Sequence, residues 1–188
     1  MNTRDRILEV ALELVQTRGY SAFSYQDLSD RLGITKASIH HHFRYKADLG
    51  KAVAEKYNTD VRAILDSASA TSDDPWVQLE GYVQMVLGIV KTRDRICAAG
   101  SVQSEFNVVP ETMGKSMGSL VQFVIGWIRD VIKRGRDLGV MEFPGSPDDQ
   151  AALLFSAAQG AMQYGRANGQ TKARLVLQQM KASLTSRE

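Results

Sequence analysis

Apolar residues recur three and four positions apart along most of the chain, the period of amphipathic α-helices. Ile7, Val10, Ala11, Leu14 and Val15 make such a stripe in a helix expected from Thr3 to Arg18 and ended by Gly19. In the next segment Ser24 suits an N-cap, and Leu28 and Leu32 share a face. Gly33 stops that helix where a left-handed residue is needed. Thr35 then caps a second short helix, whose Ile39 and Phe43 return to the same core. A fourth helix is expected from about Tyr45 to Leu65, with Leu49, Val53, Tyr57, Val61 and Ile64 inward. The polar stretch SASATSDD, residues 67–74, breaks the pattern, and Asp74-Pro75 opens a fifth helix reaching Val90. Arg95 to Glu105 reads as a short sixth helix, with a loop from Asn107 to Pro110 after it. A long seventh runs from Glu111 to Leu138, burying Met113, Met117, Leu120, Val124, Ile128 or Trp127, Val131 and Ile132. Ser146, in a capping-box relation to Asp149, starts the eighth, which Asn168-Gly169 ends, and Thr171 caps a ninth reaching Leu184. No strand pattern or internal repeat interrupts this series, so the expectation is an all-α chain of about nine helices.

Two short helices joined by a tight glycine turn, as between Ser24 and Phe43, form the helix-turn-helix pattern. Its second helix is built to enter a DNA major groove. With Ile39 and Phe43 turned inward, Thr35, Lys36, Ser38, His40 and His41 remain for the groove and its walls. Lys36 has the chemistry to donate to guanine O6 and N7, and His40 or His41 to meet a base or a phosphate. Ser24 and Gln26, at the start of the first motif helix, are candidate phosphate contacts, because helix N-termini attract anions.

The segment GITKASIHHHFRYKADL, Gly33 to Leu49, resembles the recognition-helix signature of the tetracycline-repressor (TetR) family. Gly33, Ile34, Thr35, Ala37, Ile39, His42, Phe43 and Lys46 match that signature, while His40 stands where the family commonly has tyrosine. TRDRILEVALELVQTRGYSAFS also resembles the family's opening helix. The resemblance implies a helix-turn-helix domain over residues 1–46 and a helical ligand-binding and dimerisation domain over 47–188. It implies a homodimer that binds double-stranded palindromic operator DNA, most simply a repressor, and that a small-molecule effector releases. The fourth helix would belong to both halves and act as the lever.

The same resemblance implies particular residues. A lysine in a first helical turn opposes the helix dipole by about 0.3–1 kcal/mol, and a phosphate there reverses the sign. Lys46 is therefore an implied phosphate contact. Helices eight and nine would form a four-helix bundle across the dimer axis, with Ala157, Ala161, Tyr164 and Leu175 as interface candidates. Trp76, Tyr82, Met85, Cys97, Phe106, Met113, Met117, Phe123 and Trp127 are candidates to line an effector cavity. Methionines and aromatics suit an irregular apolar pocket, although they fill ordinary cores as readily.

Composition adds limits. The net charge of +2 lies wholly in residues 1–51, which hold eight Lys or Arg against six Asp or Glu. Arg4, Asp5, Arg6 and Glu9 argue against a signal peptide, and the apolar run Leu120 to Ile128 is too short to span a bilayer. A single cysteine fits a reducing cytoplasm. Consecutive histidines cannot share a helix face, so His40-His41-His42 is not expected to hold a metal. No catalytic constellation, phosphate-binding loop or cofactor motif is apparent, which argues against an enzyme. Two alternatives stay open. Cys97, with Arg93 and Arg95 near it in sequence, could be a reactive thiol that senses electrophiles or oxidants, or a small buried hydrophobe. The chain could also bind an effector without binding DNA.

Overall fold

The computed structural model describes residues 2–92 and 94–185. Among them lie nine α-helices and no strand. They are α1 (Thr3–Arg18), α2 (Tyr25–Leu32), α3 (Lys36–His42), α4 (Lys46–Thr71), α5 (Pro75–Lys91), α6 (Ala98–Ser104), α7 (Glu111–Asp137), α8 (Pro147–Asn168) and α9 (Gln170–Ala182). Their starts follow local chemistry, because side chains satisfy the otherwise unpaired first-turn amides. The Ser24 and Asp27 side chains form a complete capping box on α2, and Thr35 accepts the Ser38 amide at 3.2 Å on α3. Asp74 accepts the Trp76 amide at 2.8 Å ahead of Pro75, and Ser146 accepts the Asp149 amide at 3.1 Å. Gly33 closes α2 at φ +65°, the left-handed conformation that glycine adopts without Cβ strain.

Three helix limits differ from expectation. α4 continues through the polar stretch to Thr71, because Ala68 and Ala70 favour helix and no Gly or Pro stops it before Pro75. α6 begins at Ala98 rather than Arg95, and Cys97 is its N-cap. α9 begins at Gln170, straight after Gly169 at φ +93°, without a side-chain cap from Thr171. Two inward assignments also shift by a residue or two. Ile64 is 45% exposed while Leu65 is fully buried, and Leu8 rather than Val10 completes the buried stripe of α1. One residue is a rotation of about 100°, enough to exchange core for solvent.

The chain divides into two compact units: Met1–Asp60 with Cys97–Leu120, and Val61–Ile96 with Val121–Glu188. In the first unit, Leu49, Val53 and Ala54 of α4 are fully buried along with Ile7, Leu14, Leu28 and Ile39. α6 packs on α1, and the buried Ser101 hydroxyl donates to the Val15 carbonyl at 2.8 Å. A helix-turn-helix of this size buries too little apolar surface alone, so neighbouring segments complete its core. In the second unit α8 and α9 pack as a hairpin and both contact α5. Gly165 permits that approach, since a Cβ there would lie 2.7 Å from the Cβ of Ala173.

Candidate functional site

α3 is anchored from within. Ile39 is fully buried and Phe43 nearly so, and the Tyr25 hydroxyl donates to the Phe43 carbonyl at 2.8 Å. Burial pushes the Tyr25 phenol up to about 12, with Asp48 and Tyr20 adding to it. Of the residues expected to face the groove, Thr35, Lys36, His40 and His41 are exposed and Ser38 is half-buried. The three imidazoles do not converge. His40 meets the Tyr25 ring edge-on at 4.7 Å between centroids, whereas His41 and His42 meet each other at 5.3 Å.

At the start of α2, Ser24 and Gln26 are exposed but engaged locally. The Ser24 hydroxyl donates to Asp27 Oδ2 at 2.7 Å, and the Gln26 amide donates to Asp30 Oδ1 at 2.6 Å. The hydroxyl and backbone N–H of Ser24, followed by the Arg18 guanidinium, hold the Asp27 carboxyl below its ordinary range.

Lys46 is half-buried. Its ammonium donates to the Tyr20 carbonyl at 2.7 Å and lies 4.5 Å from the ring centroids of both Tyr20 and Phe23. Burial lowers its pKa, against the opposing pull of Glu105 and Asp27. No sequence pattern points to Glu105. Its carboxylate accepts the Ser21 amide at 2.8 Å and lies against Gly19, where any Cβ would collide with Oε1. The α1–α2 turn is thus gripped by Lys46 from one side and Glu105 from the other. Only the glycine at position 19 hinted that something approaches this backbone closely.

The cavity candidates are distributed over both units. In the first, Met113 and Met117 are core side chains, and Cys97 is half-buried with its sulfur 3.4 Å from the Tyr57 hydroxyl. Phe106 is 78% exposed, so it is no wall of an enclosed cavity in this chain: it sits in the short loop after α6, beyond the last buried turn. In the second unit Tyr82 is buried, and Trp76, Met85, Phe123 and Trp127 are half-buried. The Tyr82 and Trp127 rings lie 6.4 Å apart, and the Arg62 guanidinium covers Phe123 at 3.9 Å. The Trp127 indole donates to the Ser69 hydroxyl at 2.9 Å, and that of Trp76 to the Val140 carbonyl at 2.9 Å. Close by is Gln78, also missed: it is 2% exposed, donates to the Ser72 carbonyl at 2.7 Å and accepts from the Arg134 guanidinium. A glutamine on the apolar face of α5 was its only trace in the sequence.

Of the dimer candidates, Tyr164 and Leu175 are half exposed or nearly so and Ala157 is half-buried. Ala161 is fully buried within the chain, in the hairpin of α8 and α9, so it cannot present itself to a second copy. Leu153 of α8 is 57% exposed and adds to the apolar surface of that helix.

A capped recognition helix held on a buried aromatic anchor, its outer face polar and basic, defines a helix-turn-helix DNA-binding regulator. Residues 7–53 match the family described as bacterial regulatory proteins, tetR family. The transcriptional repressor NemR of Escherichia coli (strain K12) is 25% identical over 166 residues, covering 85% of this chain and 82% of NemR. A crystal structure of the reduced form of E. coli NemR superposes with a TM-score of 0.82 at 21% identity, covering 100% of this chain and 99% of that one. A TetR-family regulator from Agrobacterium tumefaciens is similar in structure at a TM-score of 0.92 and 29% identity, covering 97% of each chain. One from Legionella pneumophila has a TM-score of 0.86 at 25% identity, covering 98% of each. The protein is accordingly a DNA-binding transcriptional regulator.

Proposed function

We propose that this regulator represses from a near-palindromic operator, with Thr35, Lys36, Ser38, His40 and His41 of each protomer facing the major groove. The observation that carries the reading is the exposed polar face of α3 opposite a rigid Ile39–Phe43–Tyr25 anchor. Lys46, Ser24 and Gln26 meet flanking phosphates. The second copy is held through α8 and α9, where Leu153, Tyr164 and Leu175 expose apolar surface. An apolar effector binds among Trp76, Tyr82, Met85, Phe123 and Trp127 of the second unit. It acts through α4, which is continuous from Lys46 to Thr71, by binding one disposition of that helix better than another. The protein has no catalytic task in this reading and works in the cytoplasm; among the described residues no helix is long and apolar enough to cross a membrane. Selection from random duplex DNA with the purified protein tests the reading. A recovered palindrome of two half-sites about one helical turn apart supports it, and failure to enrich any sequence refutes it.

Cys97 favours a second reading, in which the effector is an electrophile. The thiol is half-buried, Cys97 stands at the N-cap position of α6 without a side-chain capping bond, and its sulfur lies 3.4 Å from the Tyr57 hydroxyl, a group able to assist thiolate formation. Arg95 is near in sequence, and Arg93 lies outside the described residues. Mass spectrometry after N-ethylmaleimide, with DNA release measured for Cys97→Ser in parallel, decides it. No adduct on the folded protein ends this version.

A further inference from the structure

We infer that His40 determines operator sequence by accepting a hydrogen bond through Nε2 from an exocyclic base amino group, adenine N6 or cytosine N4. The inference rests on α3 being the groove helix. His40 Nδ1 lies 3.2 Å from the Arg44 carbonyl oxygen. A carbonyl only accepts, so Nδ1 carries the proton of the neutral ring and Nε2 is left with a bare lone pair. Helix geometry alone would have left both tautomers open.

The ring is also held in place. One contact is the Arg44 carbonyl, and the other is the edge-on packing against Tyr25 at 4.7 Å. Tyr25 is itself fixed, being buried and bonded through its hydroxyl to the Phe43 carbonyl. An imidazole restrained at two points loses little rotamer freedom on binding. His40 is nevertheless exposed, and it lies four residues after Lys36, so the two share a face of α3. Nε2 has no hydrogen-bond partner among the described residues.

The chemistry of the groove then narrows the partner. In the major groove only adenine N6 and cytosine N4 donate; guanine N7 and O6, thymine O4 and the phosphate oxygens all accept. A bare Nε2 therefore attracts adenine or cytosine and sets lone pair against lone pair with the rest. Lys36, which only donates, has the opposite preference, so the two residues on one face select different bases.

Two experiments test this on the full chain. Long-range nitrogen–proton NMR of the free protein near pH 8 should show the His40 proton on Nδ1; a proton on Nε2 overturns the assignment. Operators are then selected with the wild-type protein and with His40→Phe, which keeps an aromatic edge for Tyr25. One half-site position should prefer adenine or cytosine for wild type and lose that preference in the variant. At that position, replacing adenine by nebularine or cytosine by zebularine deletes only the amino group. The deletion should weaken wild-type binding about three- to tenfold and leave His40→Phe unaffected. A guanine preference at that position, an amino deletion without effect, or a uniform loss in His40→Phe with a reduced salt slope would each overturn the proposal, the last by showing a phosphate contact. If the wild type enriches no palindrome at all, the groove-helix reading itself has failed and this assignment falls with it.

Discussion

The Glu105 carboxylate accepts the backbone amide of Ser21 at 2.8 Å across 84 residues of sequence, tying the end of α6 to the turn between α1 and α2. Gly19 leaves the space that the carboxylate fills, and on the same turn the Tyr20 carbonyl receives the Lys46 ammonium. Glu105→Ala should lower stability by about 1 kcal/mol, since the bond is charge-assisted but partly exposed. It should weaken operator binding further by loosening the turn. Gly19→Ala should be worse, through its φ of +95° and the lost space. Part of that penalty should disappear in the Glu105→Ala background, because the collision is then gone. Thermal melts and DNA binding on all four proteins check it; strictly additive effects would show that the carboxylate does not occupy the Gly19 gap.

The two lysines of the candidate interface should behave differently. Lys36 is exposed and no ion pair or hydrogen bond engages it among the described residues, so Lys36→Ala should leave the melting temperature unchanged and relax base preference locally. Lys46 is used inside the fold, on the Tyr20 carbonyl and two aromatic rings. Lys46→Ala should therefore cost about 1–2 kcal/mol of stability as well as lowering affinity for every operator. Equal melting temperatures for the two variants would contradict this division.

Burial separates the dimer variants. Leu175 is 50% exposed in the chain, so Leu175→Asp should fold normally yet sediment as a monomer and lose the operator. Ala161 is fully buried, and Ala161→Arg should unfold the α8–α9 hairpin, because an unpaired buried charge costs several kcal/mol. A folded, dimeric Leu175→Asp protein would move the interface away from this face.

Asp27 gives a pH dependence of known sign. Its carboxyl is held below the ordinary value in the folded protein, chiefly by the Ser24 hydroxyl and then by the Ser24 amide. Its stabilisation is therefore complete above the unfolded carboxylate value of about 4 and is lost as pH falls through the folded value. Asp27→Asn should remove part of the acid-side loss of stability below about pH 4. An acid limb identical in the variant would show that the capping box contributes nothing to it.

Features made within a few residues were legible in the chain alone. Ser24, Thr35, Asp74-Pro75 and Ser146 cap their helices as read, because a cap bonds an amide two or three positions away. Gly33 and the Ile39–Phe43 spacing exposed the helix-turn-helix for the same reason, and with it the family. Which side of each helix meets another depends on how the helices pack. A helix repeat does not state which of two adjacent positions faces a neighbour, and Leu65 rather than Ile64 went inside. Small residues suit any close helix contact, and for Ala161 that contact proved to be internal. Glu105, Gln78 and the inner role of Lys46 depend on partners 84, 56 and 26 residues away, and the tautomer of His40 on a carbonyl just beyond the end of its helix. Such pairs carry no periodic signal, because long-range packing, not local propensity, brings their atoms together.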